Sequence, residues 1–102
     1  MNIKKYLKET LTRYDRDEFI LSFEKMIGDK DIVISYENGK ITVRTKNKNT
    51  FIHHIKGSIE DMITITIMLN NRDRFDVSVK YTGIPERKIR KLKKQFKKYG
   101  IR

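Results

Sequence analysis

Residues 51–70 read FIHHIKGSIEDMITITIMLN, and the fold turns on them because they carry two hydrophobic periods at once. Ile52, Ile55, Ile59, Met62 and Ile63 recur at helical spacing, whereas Ile63, Ile65, Ile67 and Leu69 alternate with Thr64, Thr66 and Met68 as a strand does. β-Branched Ile and Thr are stiff at χ1 and suit a pleated surface. Weighting that preference, the sequence predicts a strand or short helix through residues 50–60, then a strand over residues 61–69.

The flanks are easier to read. Upstream, Ile32, Ile34 and Tyr36 alternate with Val33 and Ser35, and Ile41, Val43 and Thr45 alternate with basic residues. Asn38-Gly39 between two such runs is a strong hairpin signal, since both residues tolerate positive φ. A second turn at Lys46, Asn47, Lys48 and Asn49 leads into a third strand through Thr50–Lys56, where the disputed segment begins. Downstream, Asn70, Asn71, Arg72 and Asp73 form a turn, and Phe75, Val77, Val79 and Tyr81 alternate as another strand.

Both ends read as helical. Ile3, Leu7, Leu11 and Tyr14, then Phe19, Phe23, Met26 and Ile27, fall at steps of three and four, with Gly28 as a stop. Asp15 and Glu18 have capping-box spacing, which allows a helix pair or one kinked helix. Near the other end Pro85 occupies an expected N1 position beside Glu86, and Gly100 follows as the second stop. The expected fold is α+β, one domain over residues 1–102. Residues 1–28 are helical, residues 31–82 form an antiparallel sheet of about four to five strands in a meander, and residues 85–99 form a basic helix.

Charge is unevenly placed. Residues 85–102 hold nine Lys and Arg against one Glu, whereas residues 1–30 hold seven basic and six acidic groups and residues 31–84 hold eight and six. Within the basic helix Ile89, Leu92, Phe96 and Tyr99 make one apolar stripe that docks on the domain. The other faces carry Arg87, Lys88, Arg90, Lys91, Lys93, Lys94, Lys97 and Lys98. Like charges at this density repel within a helix, so the run is costly without an anionic partner. A solvated face kept for solubility is the plainer reading, and a phosphate backbone is the sharper one. Lys46 and Lys48 at one turn, and Arg72 and Arg74 at another, extend that footprint if the loops share a side. Tyr36 and Tyr81 are candidates for base stacking, although most strand aromatics belong to a core.

The signals for catalysis are weak. With no Cys there is no thiolate zinc site, cysteine nucleophile or disulfide framework, which suits a reducing compartment. His53 and His54 are adjacent, so on a strand they face opposite ways and do not share a metal. Asp76 with Lys80, and Asp31 with Glu37 and Lys40, match no clean two-carboxylate metal pattern. No Gly-rich phosphate loop or nucleophile elbow occurs. The sequence therefore predicts no enzyme, cofactor or metal.

The chain also lacks an apolar run of membrane-spanning length, and no apolar h-region follows the first lysines, so a cytoplasmic location is expected. Fifteen Ile, sixteen Lys and no Ala match AT-rich coding DNA, which suggests a low-GC bacterium, its phage or a plasmid. Three functional expectations follow. The first is a small basic non-catalytic nucleic-acid-binding protein, DNA or RNA, acting as an accessory or regulatory factor. The second is a phage-encoded inhibitor of a host nuclease or nucleoprotein complex, for example a CRISPR nuclease or its guide RNA. The third is a helix-turn-helix-like regulator, from the spacing of Gly83, Ile84, Ile89 and Leu92. A membrane-surface role is weaker, because the stripe lacks the large exposed apolar face such helices use.

Overall fold

Ser58 decides the ambiguous segment. Its hydroxyl accepts a hydrogen bond from the Asp61 amide (3.2 Å), and its own amide donates to the Asp61 carboxylate (2.9 Å). This reciprocal capping box starts a helix at Ile59. The computed structural model describes residues 13–26, 30–47 and 52–102, and in it this helix runs Ile59–Asn70. The strand expected over residues 61–69 is therefore corrected to helix. It buries Asp61, Met62, Ile65, Thr66 and Leu69, at helical spacing. The threonines that suggested a strand satisfy their hydroxyls within the helix, Thr64 donating to the Glu60 carbonyl (2.9 Å) and Thr66 to that of Met62 (2.7 Å).

In chain order the elements are α1 (Arg13–Met26), β1 (Asp31–Glu37), β2 (Lys40–Thr45), β3 (Ile52–Lys56), α2 (Ile59–Asn70), β4 (Asp76–Lys80) and α3 (Glu86–Lys97). The four strands form one sheet in the order β3-β2-β1-β4. β1, β2 and β3 are an antiparallel meander, but β4 lies parallel to β1, with Ile34 opposite Val79. The sheet is thus mixed, and the wholly antiparallel arrangement is corrected. The cause is the same segment: as a helix, α2 carries the chain back along the sheet, so β4 starts from the end where β1 and β3 start.

The β1–β2 turn forms as read, with Asn38 at φ 51° and Gly39 at φ 76° closing a two-residue hairpin. α1 continues through Asp15 and Glu18, so no helix begins there; an unbroken backbone ladder outweighs one side-chain cap. The stop expected at Gly28 and the helical reading of residues 1–12 fall outside the described residues.

Strand alternation sends Ile32, Ile34, Ile41, Val43, Ile55, Val77 and Val79 to one face, where they join Phe19, Ile20 and Phe23 of α1, the buried side of α2, and Leu92 and Phe96 of α3 in a single core. Arg16 of α1 meets Asp61 at 3.0 Å on the flank of that core. The opposite face of the sheet carries Asp31, Val33, Ser35 and Glu37 on β1, Lys40, Thr42 and Arg44 on β2, Ile52, His54 and Lys56 on β3, and Asp76, Ser78 and Lys80 on β4. Among the described residues of that face only Val33 is buried.

Candidate nucleic-acid interface

α3 is held at both ends by backbone rather than by charge. Pro85 stands one position earlier than expected, at the N-cap with ψ 140°, and its carbonyl accepts from the amides of Lys88 (2.9 Å) and Ile89 (3.0 Å). A proline ring offers no side-chain acceptor, so the cap relies on that carbonyl and on Glu86 in the first turn. At the other end Gly100 adopts φ 74°, which lets the Ile101 amide fold back to the Phe96 carbonyl (3.1 Å). Ile101 then buries itself in the core, and the Val79 amide donates to the Arg102 carbonyl (2.7 Å) on the edge of β4. Asn70 at the end of α2 donates to the Tyr99 carbonyl (2.8 Å).

The apolar stripe is shorter than its spacing suggested. Leu92 and Phe96 are buried and Ile89 is half-buried against the core, but Tyr99 is 47% exposed. Once Gly100 reverses the chain, Ile101 takes the core position that Tyr99 was expected to fill.

Arg87, Lys88, Arg90, Lys91, Lys93, Lys94, Lys97 and Lys98 are all exposed. The ion pairs found among the described residues are Arg16–Asp61 and Arg72–Glu24, so no carboxylate of the described residues neutralises the α3 cations. Lys93 alone of the eight rests over a ring, its ammonium 5.4 Å from the centre of Tyr81. This surface is a rigid cationic ridge, because the helix that carries it is anchored by Leu92, Phe96 and Ile101.

The outlying cations divide. Lys46 is exposed at the end of β2 and lines a small depression with Asp31, Asp76, Ser78, Gly100 and Arg102, which places it beside the tail of α3. Lys48 lies outside the described residues. Arg72 and Arg74 converge on Glu24 at the far end of α1. The Arg72 Nε lies 2.7 Å from a Glu24 carboxylate oxygen, a charge contact without hydrogen-bond alignment, and Arg74 donates to the Glu24 carbonyl at 3.0 Å while stacking on Phe75. Both arginines fasten the α2–β4 turn to α1.

Tyr36 and Tyr81 are half-buried on the core side, and burial raises the Tyr81 phenol above its ordinary pKa. Neither ring lies on the opposite side of the sheet. His53 and His54 face opposite ways, His53 stacking on Phe19 with ring centres 4.8 Å apart and His54 pairing with the Thr42 hydroxyl at 3.2 Å. The segment before α3 is strand β4, so the helix pair of a helix-turn-helix does not form there. Among the described residues no helix is long and apolar enough to cross a membrane.

Sequence reading missed the second sheet face, on which none of the described helices packs. Lys40 and Lys56 are direct cross-strand partners there, and Lys80 lies in the neighbouring row opposite Ser35, which is itself opposite Thr42. A shallow depression of about 390 Å³ is lined by Ser35, Glu37, Lys40, Thr42, Lys80 and Thr82. The signal was available in the alternation of Lys40, Thr42 and Arg44 with Ile41, Val43 and Thr45. It could not be assembled without knowing that β4 sits beside β1.

No protein-family model matches the chain, and neither a curated protein nor a solved structure matches it.

Proposed function

We propose that this is a small, non-catalytic nucleic-acid-binding protein that lays α3 against a phosphate backbone. The observation that carries the reading is the set of seven exposed cations on one anchored helix and an eighth, Lys98, at its C-cap, with no ion pair to a carboxylate among the described residues. Such a helix repels itself unless a polyanion lies along it, and each phosphate it neutralises releases a condensed counterion, which makes binding favourable and salt-sensitive. Arg87 and Arg90 have forked guanidinium groups suited to bidentate phosphate contacts, and the lysines act as point charges. Lys46, next to the α3 tail, belongs to the same footprint, whereas Arg72 and Arg74 are engaged with Glu24.

The test is charge reversal, Arg90→Glu with Lys91→Glu and Lys94→Glu, read by gel retardation of DNA and RNA across a salt series. Retention of nucleic acid by the wild-type chain, strongest at low salt, and its loss in the triple variant with an unchanged circular dichroism spectrum, is the expected result. Equal retention by wild type and variant defeats the reading. Pull-down of a partner that survives nuclease digestion would instead favour an acidic protein surface as the target of α3.

A further inference from the structure

We infer that the ligand is a single-stranded polynucleotide, which passes from α3 over the β4 edge onto the sheet face opposite the described helices. This rests on the proposed function and narrows its ligand.

The two cationic surfaces lie on different sides of the molecule. α3 packs through Leu92 and Phe96 into the core on the helix side of the sheet, whereas Lys40, Arg44, Lys56 and Lys80 project from the other side. The protein measures only 36 × 30 × 24 Å, so one polyanion that touches both must bend within that distance. Duplex DNA, with a persistence length of about 500 Å, resists such a turn, whereas a single strand follows it freely.

The β4 edge is where the two surfaces meet. Arg102 is hydrogen-bonded along that edge, and the depression it lines with Gly100 opens onto Lys46 and onto Ser78 of the opposite face. Lys80 ends β4, and Thr82 follows it in the turn toward α3.

The face itself is built for backbone contact. Lys40 is opposed by Lys56 on β3 and by Glu37 on β1, so the row holds two cations and one carboxylate and keeps a net positive charge. No ion pair of Lys40, Arg44, Lys56 or Lys80 occurs among the described residues. Ser35, Thr42 and His54 set hydroxyl and imidazole groups between these cations. Glu37, Asp31 and Asp76 share the face, and its four cations outnumber them by one.

Tyr99, an aromatic 47% exposed, stands just past the end of the basic helix beside Lys97 and Lys98. A ring so placed stacks an unpaired base and has nothing to stack on in an intact duplex.

Fluorescence anisotropy with a labelled 20-nucleotide DNA strand, the same sequence as RNA, and the corresponding 20-base-pair duplex tests this. Tighter binding of either single strand than of the duplex is expected. Lys40→Gln, Lys56→Gln and Lys80→Gln together should weaken single-strand binding roughly ten-fold and flatten its salt dependence by about two in log–log slope, at about 0.7 per phosphate. Tyr99→Leu should likewise cost roughly ten-fold on single strands and leave the duplex unchanged. Circular dichroism checks the fold of each variant. If α3 charge reversal abolishes binding while the sheet-face and Tyr99 variants behave as wild type, or if the duplex binds more tightly, this inference falls and the nucleic-acid reading stands. If the wild-type chain binds none of the three probes, both fall.

Discussion

Arg16 reaches from α1 to the carboxylate of Asp61 at 3.0 Å, so the residue that caps α2 also clamps α2 to α1. Asp61 is 5% exposed and accepts from the Ser58 amide (2.9 Å), the Ser58 hydroxyl (3.0 Å) and the Arg16 guanidinium. Removing it strands three donors, one of them charged. Asp61→Ala should therefore cost about 3 kcal/mol, which for a domain of this size lowers Tm by roughly 15 °C. Ser58→Ala removes only the cap and should cost about 1 kcal/mol. Chemical denaturation of both variants checks the ordering; equal costs would mean that the Arg16 contact adds nothing.

Phe96 ties the basic ridge to the core. It is completely buried, whereas Tyr99, on the same expected stripe, stays half in solvent. Phe96→Ala should destabilise by about 3–5 kcal/mol and loosen α3, so the salt-sensitive binding weakens without any change in charge. Tyr99→Ala should leave Tm within a few degrees of wild type. Thermal melts of the two variants decide whether the anchor is Phe96 or the stripe as a whole.

These two residues also mark how far the sequence could be read. The Asn38-Gly39 hairpin, the strand around Val77 and Val79, and a helix after Pro85 each follow from a local signal. Residues 61–69 misled because Ile and Thr alternate there by composition, while the capping pair Ser58 and Asp61 that overrides the alternation sits at the edge of the window. That single error also hid the parallel pairing of β4 with β1, and with it the grouping of Lys40, Lys56 and Lys80 on one face. The α3 cations were legible because a helix displays neighbouring residues together. The sheet-face cations were not, because they come from three strands whose order no local pattern specifies.

Arg72 and Arg74 separate charge that reaches outward from charge used internally. Both bind Glu24, one through its carboxylate and one through its carbonyl. Arg72→Gln with Arg74→Gln should leave nucleic-acid affinity within about two-fold of wild type and cost up to about 1 kcal/mol of stability. Arg87→Gln with Arg90→Gln, an equal loss of charge from α3, should reduce affinity at least several-fold and, by relieving like-charge repulsion along the helix, raise Tm slightly. Parallel binding titrations make the comparison, and equal losses from the two pairs would place the α2–β4 turn inside the interface.

His53 gives the fold a pH dependence of defined sign. Its ring stacks on Phe19, and burial, aided by the neighbouring charge of His54, lowers its pKa below the ordinary value of 6.5. Above that value the imidazole is neutral in both folded and unfolded chains, and its contribution to stability is complete. As pH falls below 6.5 the unfolded chain takes up the proton first, so stability declines until the lowered folded-state pKa is reached. His53→Gln removes the titration and should flatten this part of the curve, apart from a constant offset for lost packing. Urea denaturation of both chains at steps from about pH 7.5 to 5.5 measures the difference. Parallel curves across that range would show that packing against Phe19 leaves the proton affinity of His53 unaltered.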